Sequence, residues 1–280
     1  MLHTLKRRIG TWVTTLSPAS LLNLMVPRTG YSVLRDLGYG ADTRHTLDLY
    51  IPDGLNGPAP VVLFFYGGSW QSGHKDWYRA VGQGLAARGM IVGIADYRLY
   101  PRVKYPGFIE DGALAVKFLH DMVGAHGGDP EKLFLAGHSA GAYIAVMLGV
   151  HPQFMRAASA EPGWIKGVIG IAGPYDFLPL KDPALIDIFG GASQVVSQPI
   201  TYAQGLHPPM LLLTGGKDRV VRPGNVRRMA ARLRDGGTVV TEKTYPDIGH
   251  IGILLSFAGL FRRRTTLLDD IVAFVGARKN

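Results

Sequence analysis

The stretch "KLFLAGHSAGAYIAVML", residues 132–148, sets a Gly-x-Ser-x-Gly run between an apolar, strand-like segment and a helix of small residues. A serine at such a junction must adopt a strained backbone that lifts its hydroxyl above the end of the sheet. Gly137 and Gly141 suit that need, because side chains there would collide with the neighbouring strand and helix. Ala140 is small for the same reason. Its N–H would face an oxyanion, and the helix N-terminus adds partial positive charge nearby. The competing reading is a plain tight turn in a chain with 37 glycines. A nucleophilic Ser139 requires a base, an acid and oxyanion donors elsewhere, so the rest of the chain decides.

Outward from this stretch, apolar runs alternate with helical patterns. "HTLDLYIP" (45–52) alternates as a half-buried strand does. "VVLFFY" (61–66), "MIVGIA" (90–95), "LFLAG" (133–137), "GVIGIAG" (167–173) and "MLLLTGG" (210–216) are continuous, as strands buried on both faces are. "TVVTEKTYP" (238–246) closes the series, and helices are expected over 78–88, 108–126, 139–150, 223–235 and 265–277. This alternation predicts a parallel α/β domain with right-handed crossovers. Residues 176–208, rich in Pro, Gly, Ala and Ser, break the rhythm and are expected to form a lid or binding wall.

In a parallel sheet the site lies at the carboxyl ends of the strands. Of nine histidines, His250 follows the last strand and precedes the terminal helix, where a base belongs. His151 ends the helix that Ser139 begins, roughly 18 Å away at the helical rise. His138 adjoins Ser139 but is expected to point away, and His74 is the rival by position. After "VVLFFY", the loop "GGSWQSG" (67–73) can turn N–H groups inward. Gly68 and Ser69, with Ala140, are the candidate oxyanion donors, each such donor being worth about 3 kcal/mol. Trp70 is expected at the rim. For the acid, Asp218 follows a strand in a short polar loop, and Asp176 is the runner-up. Asp247 is expected to meet solvent and Asp96 to pair with an arginine.

Zero cysteines exclude a disulfide framework, a cysteine nucleophile and thiolate metal sites. The formal charge of +9 sits largely in Lys6-Arg7-Arg8, Arg227-Arg228 and Arg262-Arg263-Arg264. These runs are short and scattered and no nucleic-acid module accompanies them, so a solvated basic surface is the reading and nucleic acid is not an expected partner. No stretch is a full transmembrane helix. The N-terminal segment, residues 1–44, is expected to be a helical cap, with one or two short amphipathic helices near its start that cover a site or make weak contact with a membrane surface. Cytoplasmic residence is expected, with membrane association or export as alternatives. Oligomeric state is not legible.

Together "YGGSWQSG", "DYRLYP", "GGDPEKLFLAGHSAGA", "GGKDRVV" and "IGHIGI" resemble the α/β-hydrolase superfamily over residues 45–277. The resemblance is closest to the carboxylesterase branch: hormone-sensitive-lipase-like and feruloyl-esterase-like enzymes, isoprenylcysteine methylesterases and kynurenine formamidases. It implies a mostly parallel eight-stranded sheet with helices on both faces, a catalytic domain over 45–280 and the triad order Ser139, Asp218, His250. It implies a small-molecule ester substrate and no metal or organic cofactor. The usual His-Gly-Gly reads Tyr66-Gly67-Gly68 here, so the Tyr66 hydroxyl is expected to brace the loop. Trp70, Phe177, Phe189 and Ile251 are candidate pocket residues. The expected activity is serine carboxylesterase. The alternatives are an aryl formamidase, for which "GGSW" and Lys75 leave room, and a non-catalytic lipid- or ligand-binding protein, for which "LLSFAGLFRRR" (254–264) speaks.

Overall fold

A computed structural model of the protein describes residues 23, 26–259 and 261–276. The expected helices near the start of the chain lie outside the described residues. Eight strands form one sheet: β1 (Tyr31–Gly38), β2 (Thr46–Pro52), β3 (Ala59–Phe65), β4 (Ile91–Ala95), β5 (Gly128–His138), β6 (Ile165–Ile171), β7 (Met210–Gly215) and β8 (Val240–Tyr245). Their order is β1-β2-β4-β3-β5-β6-β7-β8. β2 is antiparallel to both β1 and β4, and every other pairing is parallel. The mostly parallel, two-face-covered sheet expected from the apolar runs is therefore present, and β4 and β7 are buried along their whole length.

The helices are α1 (Arg79–Ala86), α2 (Gly107–Val123), α3 (Ala140–Val150), α4 (Gln153–Ala157), α5 (Pro183–Ile188), α6 (Gly224–Asp235), α7 (His250–Leu255) and α8 (Leu267–Val275). α3 is buried at every position, because it runs from the centre of the sheet beneath other elements. The amphipathic α6 buries only Val226, Met229, Ala230 and Leu233, the one-stripe spacing of a surface helix.

Two differences from expectation concern the N-terminal edge. Residues 31–38, inside the segment expected to be helical, form the eighth strand. β1 buries no side chain fully, carries Arg35 and Asp36 at its middle, and has a bulge between Leu34 and Leu37. Charged residues and a bulge are ordinary protections of an exposed sheet edge, and they also erase the apolar signature of a strand. In β2 the alternation implied a solvated Asp48, yet Asp48 is fully buried. Its carboxylate meets Lys75 Nζ at 2.9 Å, and the same ammonium reaches Asp36 on β1 at 2.6 Å.

The parallel strands end together. Phe65 of β3 pairs with Gly137 of β5, His138 with Ile171 of β6, and Gly215 of β7 with Tyr245 of β8. Three loops carrying polar residues, 66–74, 216–222 and 246–250, thus leave the same edge of the sheet as Ser139.

Candidate active site

Ser139 occupies the junction between β5 and α3 with φ 54° and ψ −120°. A non-glycine residue there is strained, at a cost of roughly 1–3 kcal/mol. The neighbouring glycines hold the turn sterically. A Cβ on Gly137 would lie 2.3 Å from the Gly141 carbonyl, and a Cβ on Gly141 would lie 2.0 Å from the Phe65 carbonyl oxygen. The Ser139 N–H donates to Ile171 O at 2.9 Å, which ties the strained residue to β6.

Three expected residues come together at this turn. His250 Nε2 lies 2.9 Å from Ser139 Oγ, and His250 Nδ1 lies 2.7 Å from Asp218 Oδ2. The other oxygen of Asp218 accepts N–H groups from Val220 and Val221, each at 2.9 Å. His250 and Asp218 are both buried. The rival carboxylates are engaged elsewhere: Asp176 pairs with Arg228, and the exposed Asp247 meets Lys217 at 2.8 Å. Asp96 pairs with an arginine as expected, although the partner is Arg44, at 3.3 Å, whereas Arg98 pairs with Asp111. His74 faces Asp96 at 3.3 Å and takes no part in the Ser139 cluster.

His138 is closer to the site than its place beside Ser139 suggested. It is buried, its ring lies 4.8 Å from the His250 ring, and its Nε2 donates to the His250 carbonyl at 3.0 Å. Burial, reinforced by the neighbouring His250, brings its pKa down to about 3. A neutral ring with its proton on Nε2 therefore holds the main chain of His250, which is fixed at both ends: by Asp218 on its ring and by His138 on its carbonyl.

The loop after β3 curls through consecutive left-handed residues, Gly68 (φ 141°), Ser69 (φ 52°) and Trp70 (φ 59°). Only glycine fits at 68, since a Cβ would sit 1.9 Å from Ser72 O. Gln71 and Ser72 N–H groups close the curl on Gly68 O at 3.0 and 3.1 Å. The N–H groups of Gly68, Ser69 and Ala140 have no acceptor among the described residues. The expected bracing by Tyr66 is present. Its hydroxyl donates to Asp96 Oδ1 at 2.5 Å, and that oxygen also accepts the Lys75 N–H at 2.9 Å. Arg44 donates to Gly73 O at 3.0 Å, and the Tyr97 hydroxyl to Tyr66 O at 2.7 Å. Burial above all, then the Asp96 charge, pushes the Tyr66 pKa well above its ordinary value and keeps the hydroxyl a donor. Arg44 and Tyr97 were not singled out from the sequence, since nothing local marks a residue as a brace.

Two cavities flank Ser139. The first, about 330 Å³, is lined by His138, His250, Trp77, Tyr78, Ile251 and Leu254 among others. The second, about 590 Å³, is lined by Ala140, Trp70, Phe177, Arg222 and the insert residues Leu180, Lys181 and Leu185 among others. Ile251 and Phe177 thus lie where a pocket role was expected. Trp70 lines the second cavity but is buried, not at the rim. Its ring packs edge-on against Phe189 at 4.9 Å and Tyr143 at 5.1 Å. Phe189 is core and lines neither cavity. Lys75, also buried, is turned into its ion pairs with Asp36 and Asp48 and reaches neither cavity.

The BD-FAE family model matches residues 47–233. The probable isoprenylcysteine alpha-carbonyl methylesterase ICME of Oryza sativa subsp. japonica is 30% identical over 297 residues, spanning 95% of this chain and 72% of that protein. A second rice protein, the probable isoprenylcysteine alpha-carbonyl methylesterase ICMEL1, is 37% identical over 155 residues, which is 54% of this chain and 36% of that protein. Among solved structures, an inhibited esterase B from Lactobacillus rhamnosis has the same fold, with a TM-score of 0.80 at 19% identity, covering 95% of this chain and 93% of that one.

Proposed function

The chain belongs to the BD-FAE family, in the carboxylesterase branch of the α/β-hydrolases, and from that premise we propose that it hydrolyses small to medium carboxylic esters through Ser139, His250 and Asp218. The observation that carries the reading is the continuous relay from Ser139 Oγ to His250 Nε2 at 2.9 Å and from His250 Nδ1 to Asp218 at 2.7 Å. His250 takes the Ser139 proton as Oγ attacks the ester carbonyl carbon. The carbonyl oxygen, now negative, rests on the N–H groups of Gly68, Ser69 and Ala140. His250 then gives its proton to the departing alcohol oxygen, leaving an acyl-serine. Water repeats the cycle, releasing the acid and restoring the hydroxyl. Asp218 holds the tautomer and steadies the imidazolium, and its two backbone donors fix its orientation.

Replacing Ser139 with alanine should lower kcat on p-nitrophenyl butyrate by on the order of 10⁴-fold or more. It should also abolish labelling by a fluorophosphonate, with the circular dichroism spectrum unchanged. Substantial turnover by that variant would remove Ser139 as nucleophile. The aryl-formamidase alternative loses Lys75 as support, because that side chain is committed to Asp36 and Asp48. Turnover of an aryl formamide faster than of the ester would restore it. The lipid-binding alternative loses part of its apolar face, since Leu254 and Phe257 are buried and Arg262 donates to Gln83.

A further inference from the structure

The two cavities beside Ser139 differ in charge, and their places relative to His250 tell which half of an ester each would take. The departing oxygen must lie within reach of His250 Nε2 to receive its proton. His250 lines the first cavity and not the second; of the proposed oxyanion donors Gly68 lines the first, Ala140 the second and Ser69 both, as Ser139 does, so the ester carbonyl sits where the two cavities meet. The alcohol half therefore points into the first cavity and the acid half into the second. Apart from its histidines, the first cavity has no ionisable group of ordinary charge at neutral pH. The second is lined by the apolar Trp70, Phe177, Leu180 and Leu185, of which Trp70 and Leu180 are buried, and by the exposed Lys181 and Arg222, with no acidic residue.

The nearby carboxylates are bonded to other groups. Asp182 caps α5, accepting the Ala184 and Leu185 N–H groups at 2.8 and 3.2 Å. Asp176 is held by Arg228, and Asp218 by His250. Neither Lys181 nor Arg222 makes an ion pair among the described residues. Part of the lining is fixed: Asn225 Oδ1 accepts the N–H groups of Tyr175 and Asp176 at 3.0 Å each, and the buried Gln198 accepts that of Phe177 at 2.9 Å. Buried apolar lining with unpaired cations at the exposed side matches an acid chain that is aliphatic near the ester and negatively charged at its far end.

We propose that the second cavity selects esters whose acid half carries a distal carboxylate, that is, half-esters of dicarboxylic acids, with Lys181 and Arg222 as specificity determinants. The proposal rests on the assignment of Ser139 and His250 made above. The test compares p-nitrophenyl monoesters of adipic and suberic acid with p-nitrophenyl hexanoate and octanoate, in wild type, Lys181→Gln, Arg222→Gln and the double variant. The ratio of kcat/KM for the anionic over the neutral ester should fall roughly two- to fivefold for each cation removed, the size expected of exposed charge pairs. In wild type the ratio should fall with added salt. Arg227→Gln, an exposed arginine outside both cavities, should leave the ratio as it is. A ratio unmoved in all three cavity variants overturns the proposal, as does a wild type that turns over the neutral esters but not the anionic ones. Failure on both ester classes together with no fluorophosphonate labelling of Ser139 overturns the esterase reading itself, and this one with it.

Discussion

The Ser139 turn and the loop after β3 carry the N–H groups proposed to bind the oxyanion, yet they are held by opposite means. The turn is fixed by contacts within a few residues and by the strand alongside: Gly137 against Gly141, and Gly141 against Phe65. The loop is fixed from a distance, by Arg44, Asp96 and Tyr97 acting on Tyr66 and Gly73. One is a steric device that tolerates almost no substitution. The other is a polar network that can lose a member and still stand, with its donors less well aimed.

That contrast sets the order of expected effects. Asp218→Asn leaves both devices intact and isolates the relay they serve; kcat should drop about 10⁴-fold with little change in KM or in the urea midpoint. Gly141→Ala attacks the turn itself. Its Cβ would need space now held by the Phe65 carbonyl, so the urea midpoint should report a loss of about 3 kcal/mol or more, with activity lost in step. Tyr66→Phe removes one brace of the loop. Here kcat should fall roughly tenfold while stability changes by about 1–2 kcal/mol, and a stability loss without a kcat loss would show that the brace does not aim the donors.

The smallest effect on turnover at neutral pH is expected at His138. Its pKa is about 3 in the fold against the ordinary 6.5, so the unfolded chain binds the proton first as the solution is acidified. Stability is therefore whole above pH 6.5 and is lost progressively toward pH 3; by pH 5 the loss amounts to about 2 kcal/mol. His138→Gln keeps a donor for the His250 carbonyl but cannot titrate. It should flatten the acid limb of a plot of stability against pH, and an unchanged limb would assign that limb to other groups.

The same contrast explains what the sequence alone made legible. The Ser139 turn is written in five consecutive residues, Asp218 follows a strand whose apolar run is continuous, and His250 follows the strand that closes the series. Burial on both faces makes β3 to β7 conspicuous. The loop's braces were not legible: Arg44 and Asp96 are 52 residues apart and meet only after β2 and β4 pair. The direction of His138 from Ser139 misleads, because its partner is the main chain of a residue 112 positions away. β1 is not legible because an edge strand with a bulge and two central charges has no apolar periodicity to read.

The buried ammonium of Lys75 gives the edge of the sheet a hold on the chemistry. It follows the loop after β3 by two residues past Gly73 and is clasped by Asp36 of β1 and Asp48 of β2. If β1 peels from the sheet on warming, Lys75 loses one of its two anchors and the curl at Gly68 loses its footing, while the central strands are still paired. Heat should therefore silence the enzyme some degrees before the bulk of the protein melts, and cooling from that interval should bring turnover back.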